Sequence, residues 1–204
     1  ARRTGDGWVL RNAEGETLGD FDHLLVTAPA PQAARLLDAD APALAHRVAQ
    51  VMMHPCWAVR CVLAAPAGTT FDAAFVNDDA TLAWVARNAS KPGRDPHHET
   101  WVLHATRAYS AAALERQPAE AMAPMLEAFT PMLGPDAPAI VHAEAHRWRY
   151  AIPDPVLDAD ALWDDTLQVG AAGDWCGGPR VEGALLSGMA VAGRLLGSAH
   201  RRSR

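Results

Sequence analysis

The sequence predicts a mixed α/β (α+β) chain, with strands and helices alternating at both ends and an antiparallel sheet in the middle. Three observations predict it. A short apolar strand near residue 25 runs into proline-started helical spans. Four short runs rich in β-branched and aromatic residues follow each other closely between residues 56 and 107. From residue 167 a strand, a glycine-rich turn and a long helix complete the pattern.

Each element has its own local reason. Trp8-Val9-Leu10-Arg11 and Glu16-Thr17-Leu18-Gly19 flank Asn12-Ala13-Glu14-Gly15, a composition that suits a hairpin turn. Residues 21–28 read as one strand entering the core, and Pro31 starts a helix over residues 32–37. A second helix is expected over 42–51. Residues 56–64, 73–77, 81–87 and 100–107 read as strands, and 88–98 as an exposed loop. Between 118 and 133 the apolar Met122, Met125, Leu126, Phe129 and Leu133 recur at helical spacing, which makes the methionines core filler. Residues 140–150 and 167–171 return to strand texture. The last helix runs from Val181 to about residue 196. Gly183, Ser187 and Gly188 near its start point to close packing or close ligand approach, since glycine costs a helix interior about 1 kcal/mol.

The 204 residues suffice for a real core, and the composition, 50% hydrophobic and 21% charged, is that of a globular protein. A net charge of -6 argues against a nucleic-acid partner, which needs a clustered positive surface. The basic Arg201-Arg202-Ser203-Arg204 reads as a solvated tail. No apolar run approaches the roughly 18–20 residues that cross a bilayer, and the first residues do not resemble a signal peptide, so no membrane role is expected. Cys56, Cys61 and Cys176 lack metal-ligand spacing and suit a reducing cytoplasm, with Cys56 and Cys61 buried. Arginine far outnumbers lysine, which suggests a GC-rich bacterial source.

The richest chemistry lies in Gly173-Asp174-Trp175-Cys176-Gly177-Gly178-Pro179-Arg180-Val181-Glu182-Gly183. A carboxylate at a strand's carboxyl end accepts hydrogen bonds from sugar-like hydroxyls, and open α/β sheets bind ligands at those ends. The helix beginning near Val181 presents free N–H groups to an anion. Asp174 is equally readable as a cap of the turn, with the glycines merely permitting it. Cys176 lies near a helix N-terminus, a setting that lowers a thiol pKa, but it has no neighbouring base.

Gly173-Asp174, Gly178, Arg180-Val181-Glu182-Gly183-Ala184 and Ser187-Gly188 resemble the C-terminal flavin motif of the FAD-dependent amine oxidase superfamily, above all its bacterial renalase-like branch. Phe21-Asp22-His23-Leu24-Leu25-Val26-Thr27-Ala28-Pro29-Ala30-Pro31-Gln32 is similar to the strand and proline turn that re-enter the FAD domain. His146-Arg147-Trp148-Arg149-Tyr150-Ala151 sits where that family places a late strand of its substrate domain. The likeness runs from about residue 22 to residue 193. It implies part of a FAD/NAD(P)-binding Rossmann-like domain, residues 1–50 and 153–204, around an antiparallel-sheet substrate domain, 51–152, containing helix 118–133.

The same resemblance implies FAD as cofactor, bound by Gly173, Asp174, Trp175, Arg180, Val181, Glu182 and Gly183. Asp174 would meet the ribityl or pyrophosphate region, and the N–H groups around Val181 and Glu182 would face the isoalloxazine. Trp175 and Arg180 would be adjacent. A reduced nicotinamide nucleotide or an amine would give hydride to the flavin, and O2 would take the electrons to yield hydrogen peroxide. No side chain need act as acid or base in that step, so no catalytic residue is named. The family's opening Gly-x-Gly-x-x-Gly has no counterpart: Gly5-Asp6-Gly7 is followed by Trp8-Val9-Leu10, with no third glycine. The resemblance therefore implies the C-terminal two-thirds of a longer enzyme, and a non-catalytic substrate-binding or interaction domain that has lost FAD binding is the rival reading.

Weaker constellations complete the survey. Trp148, Tyr150 and Trp101 offer flat faces to a nicotinamide or aryl group in a substrate pocket, although packing in the sheet core accounts for them more simply. His142, Glu144 and His146 would share a strand face, but no further ligand is evident and polar alternation toward solvent explains them, so no metal is expected. His97 and His98 fall in the exposed loop. Ser187 lacks a nucleophile-elbow sequence, and Ser110 lies in no recognisable motif.

Overall fold

The structure, a computed structural model, describes all residues but Asp6, Pro96, Ser203 and Arg204, and only the backbone of residues 199–202. The tail reading of residues 201–204 thus lies outside the described side chains. The chain divides into two compact units, one built from residues 1–53 and 152–204 and the other from 54–151.

The first unit opens with an antiparallel sheet of β1 (Arg2–Thr4), β2 (Gly7–Arg11) and β3 (Thr17–Phe21), in that order. Asn12 closes the β2–β3 turn: its Oδ1 accepts from the Glu16 N–H at 2.9 Å, and Gly15 supplies a φ of 87°. The expected strand over 21–28 is broken, because Phe21 ends β3 and β4 is only Leu24–Val26. Prolines then start both α1 (Ala30–Leu37) and α2 (Pro42–Val48), where a missing N–H costs nothing.

The second unit holds β5 (Met53–Leu63), β6 (Ala73–Phe75), β7 (Leu82–Arg87) and β8 (Glu99–Ala105), then α3 (Arg107–Ala112), α4 (Pro118–Phe129) and β9 (Ile140–Pro153). Its sheet runs β6-β7-β8-β5-β9. The strict alternation of β8 sends Glu99, Trp101, Leu103 and Ala105 to one face, which α4 covers with Ala121, Met125 and Phe129. Met125 is fully buried and Met122 packs beside it, as the helical spacing requires. Burying Met125, Phe129 and Trp101 contributes about 1.5–3 kcal/mol each. The helix α3 replaces the end of an expected strand because the Thr106 hydroxyl accepts from the Tyr109 N–H at 3.1 Å and caps it.

The chain returns to the first unit with β10 (Leu162–Asp164), β11 (Val169–Ala171), the short α5 (Asp174–Gly177) and α6 (Val181–Arg202). Here β11 pairs antiparallel with β10 and parallel with β4, opposing Val169 to Leu24 and Ala171 to Val26. One face of this sheet packs Leu24, Val26, Val169 and Ala171 against α1 and α2. The other receives α6, whose Val191 leaves so little room over Gly170 that a Cβ there would stand 2.6 Å from it. Helices on both faces of a parallel pair are the layering of a doubly wound sheet.

Candidate functional site

Because β4 and β11 are parallel, their carboxyl ends lie together, and the turns that follow them meet. The Trp175 indole N–H donates to the Ala28 carbonyl at 3.1 Å, and the Ala172 N–H donates to the Val26 carbonyl at 3.1 Å. Trp175 is fully buried, so its ring is a core element and only its backbone remains for a cofactor. Gly173 is extended, and its lack of a Cβ is explained by that same indole, whose Nε1 would be 2.4 Å away. Its N–H donates to the buried Ser187 hydroxyl at 3.1 Å, which ties the turn to α6.

Asp174 begins α5 and is half-buried. Desolvation pushes its carboxyl above the ordinary carboxylate range, against the pull of hydrogen bonds from the Trp175 and Asp174 backbone. The short helix ends at Gly178, whose φ of 109° is a conformation suited to glycine and whose missing Cβ faces open space. Arg180 N–H donates to the Gly178 carbonyl at 2.7 Å, and the first helical bond of α6 is Ala184 N–H to Arg180 O at 3.0 Å. Among the described residues the N–H groups of Val181, Glu182 and Gly183 therefore have no backbone acceptor. They sit at the positive end of a 22-residue helix.

A cleft of about 270 Å³ opens at this helix start, lined by Gly177, Gly178, Pro179, Arg180, Glu182, Gly183 and Leu186. The structure thus brings Arg180, Glu182 and Gly183 together around one cavity. Val181 is beside them and almost wholly exposed, whereas Gly173, Asp174 and Trp175 do not line it. Pro179 and Leu186 are lining residues that sequence reasoning missed; the i, i+3 spacing of Leu186 from Gly183 was the available signal. Gly183 itself is required by packing, since a Cβ there would meet the Gly178 carbonyl oxygen at 2.4 Å. Gly188 has open space around it, so neither packing nor a neighbouring group demands it.

The Cys176 thiol is buried, and burial pushes it up to about 11, overriding Ser187 and the positive charge of Arg47. The sequence-based expectation that a helix start would lower it is corrected: desolvation wins over the short dipole. Cys56 and Cys61 are buried as well.

In the second unit, Trp101 is core, with its indole N–H on Glu99 at 2.9 Å. Trp148 is not core: it is 56% exposed, on the side of β9 where residues 142, 144, 146 and 148 alternate outward. Its ring meets His146 edge-on at 4.4 Å, while Tyr150 is half-buried further along that face. Neither lines the polar cleft of about 410 Å³ formed by Trp57, Glu115, Arg116, His146, Arg147 and their neighbours. Glu144 bonds Arg60 at 2.6 Å and His142 at 3.2 Å, and both partners hold its carboxyl below the usual range. Among the described residues no three His, Cys, Asp or Glu side chains converge to hold a metal ion, and no helix is long and apolar enough to cross a membrane.

Fold and cleft define a mixed α/β architecture whose parallel strands end at a glycine turn and a helix start. No protein-family model matches the sequence. Solved structures do share the fold. The chain is similar to a protein assigned as a protoporphyrinogen oxidase from Exiguobacterium sp. 255-15, at 14% identity and a TM-score of 0.70 over 96% of this chain and 45% of that one. It is also similar to cyclohexylamine oxidase from Brevibacterium oxydans IH-35A, at 16% identity and a TM-score of 0.70 over 98% of this chain and 47% of that one. An oxidoreductase from Methanosarcina mazei matches at 13% identity and a TM-score of 0.63, over 88% of this chain and 44% of the other. The chain thus spans just under half the length of these structures, and the likeness is one of fold.

Proposed function

We propose that this chain forms part of an FAD-dependent oxidoreductase related to the amine oxidases, of the renalase-like kind. The observation that carries this reading is the start of α6: three N–H groups without backbone acceptors among the described residues, beside a glycine-lined cleft, on a fold shared with an amine oxidase. Those donors and Arg180 suit a flat, electron-rich edge that gains negative charge on reduction. Gly178, with open space where a Cβ would stand, lets such a group approach the backbone. Asp174, on the turn from β11, would accept hydrogen bonds from ligand hydroxyls, and Gly173 keeps that turn narrow.

When bound, FAD supplies a two-electron acceptor, so that hydride from a reduced nicotinamide nucleotide or an amine can pass onward to O2, giving hydrogen peroxide. The residues of this chain bind and orient: the α6 donors stabilise charge, and the exposed Trp148 with Tyr150 offers an aromatic surface to a flat substrate. A bacterial, cytoplasmic setting belongs to the same reading. The rival, a non-catalytic binding or interaction domain, is favoured by the lack of a Gly-x-Gly-x-x-Gly in these 204 residues.

A visible absorption spectrum of the purified whole gene product separates the two. Stoichiometric flavin bands support the oxidoreductase. A colourless product that takes up no added FAD overturns it and leaves the binding domain.

A further inference from the structure

The polar cleft of the second unit has a charge character opposite to that of the whole chain. The 204 residues carry a net charge of -6. Yet the guanidiniums of Arg116, Arg147 and Arg149 gather in and beside this cleft, against the carboxylates of Glu115 and the neighbouring Glu120. Glu115 serves two of the three at once: Arg147 Nη1 donates to it at 3.1 Å and Arg149 Nη2 at 3.0 Å. Glu120 is turned back onto the Gln117 N–H at 3.2 Å, inside the capping box of α4. The Arg116 guanidinium has neither an acidic partner nor a hydrogen-bond acceptor among the described residues.

Arg147 is oriented by the fold itself. Its Nη1 also donates to the Leu114 carbonyl, and its guanidinium lies over the Trp57 ring, 5.9 Å from the centroid. Trp57 is fully buried and its indole N–H donates to the Ala113 carbonyl at 3.0 Å, so that ring is a fixed floor. The Nη2 and Nε of Arg147 have no acceptor among the described residues. A guanidinium pinned by one nitrogen presents the others in one plane, the geometry that meets a carboxylate with two parallel hydrogen bonds. The twelve-residue α4 starts at Pro118 on the cleft wall, which places the positive end of its dipole there too. Pro118, Ala145 and Trp57 add apolar surface, and a volume of about 410 Å³ suits a compact organic molecule.

We propose that this cleft binds a small organic carboxylate, held between the Arg116 guanidinium and the remaining edge of Arg147, with its apolar body against Trp57 and Pro118. A carboxylate suits the cleft better than inorganic phosphate for two reasons. Part of the lining is apolar and gives phosphate nothing to pack against, and the nearby Glu115 repels a doubly charged anion more than a singly charged one. Every group invoked belongs to residues 54–151, and none lines the cleft at the start of α6. The inference is therefore independent of flavin binding.

Fluorine NMR of 4-fluorobenzoate, added to the whole gene product, tests it. The fluorine line should broaden saturably with a Kd of about 1 mM, the strength expected of so small a ligand at a partly open site. Arg116→Gln should weaken binding at least about tenfold, through the loss of one charge-assisted hydrogen bond. Arg116 is the residue to change because its guanidinium holds no described group in place, whereas replacing Arg147 would also strip the Leu114 carbonyl and uncover Trp57. Arg94→Gln, at an exposed arginine of the 88–98 loop, should leave the Kd unchanged. Both variants should keep the far-UV circular dichroism of the parent, which separates lost binding from lost folding. The uncharged 4-fluorobenzamide should show no saturable broadening. An absence of saturable broadening up to about 20 mM 4-fluorobenzoate overturns the proposal, as does an unchanged Kd in Arg116→Gln or equal binding of 4-fluorobenzamide. Displacement by inorganic phosphate as effective as that by unlabelled benzoate also overturns it, since the cleft would then take any anion. Flavin content does not enter this readout, so this proposal and the flavin reading fail separately.

Discussion

Replacing Gly183 by alanine pits helix propensity against packing. In an open helix interior the change stabilises by about 1 kcal/mol. At Gly183, however, the new Cβ would stand 2.4 Å from the Gly178 carbonyl oxygen and 2.7 Å from that of Gly177, both backbone atoms. Relief requires α5 and α6 to part by roughly 1 Å, since non-bonded heavy atoms rest near about 3.5 Å. Such overpacking costs about 1–3 kcal/mol, and backbone atoms cannot rotate aside, so the upper part of that range applies. The net loss is about 2 kcal/mol, or a fall in Tm of about 4–8 °C for a chain of this size. Gly188→Ala, in the same helix with nothing within 4 Å of the new Cβ, should instead raise Tm by about 2–4 °C. Thermal unfolding of both variants, followed by far-UV circular dichroism at one scan rate, gives the comparison. If Gly183→Ala matches or exceeds Gly188→Ala in stability, the close α5–α6 contact is wrong.

Three further outcomes follow from buried groups. The Asp174 carboxyl is raised by burial, so the folded chain keeps a proton that the unfolded chain has lost, and stability falls as pH climbs through and above the ordinary carboxylate range. Asp174→Asn should remove that fall while weakening FAD uptake by the whole protein; a lower Tm at neutral pH would falsify the desolvation account. Arg87→Ala leaves Glu99, 4% exposed in its side chain, without the guanidinium that donates to it at 2.8 and 3.0 Å. Urea unfolding should show a loss of about 3 kcal/mol, the low end for a broken buried pair because Arg87 is partly solvated, and a loss under about 1 kcal/mol contradicts the reasoning. With Cys61 pushed up to about 12 and Cys176 to about 11, native protein near neutral pH should resist alkylation for hours and react fully once denatured. Rapid labelling of Cys176 in the native state would show that its burial is not maintained.

Local signals located much of the fold. Pro31 and Pro42 sit in the first turns of α1 and α2, where a fixed φ and a missing N–H favour helix starts. The Met125–Phe129–Leu133 spacing marked the buried face of α4 and the turn that follows it. The three-residue β1 and β10 carried no such signal, because only the edges of β2 and β11 make them strands. The fate of each tryptophan was equally silent. Trp175 and Trp148 both stand in suggestive motifs, yet one is sealed in the core and the other faces outward on β9. For the cleft, sequence marked Arg180, Glu182 and Gly183, but it also grouped them with Asp174, which does not line it.

What the sequence determined by itself is the order and type of the main elements and the presence of a glycine-rich turn before a long helix. Those depend on φ preferences, on side-chain periodicity and on caps, all of which act within a few residues. Tertiary structure alone decided which side of α6 is inward. Hydrophobicity would have buried Leu185 and Met189, but Gly177 and Gly170 bring their neighbours too near for anything larger than the Gly183, Ser187 and Val191 stripe. Steric fit between segments distant in sequence overrode the local pattern and left at the surface an apolar face with no cover among the described residues.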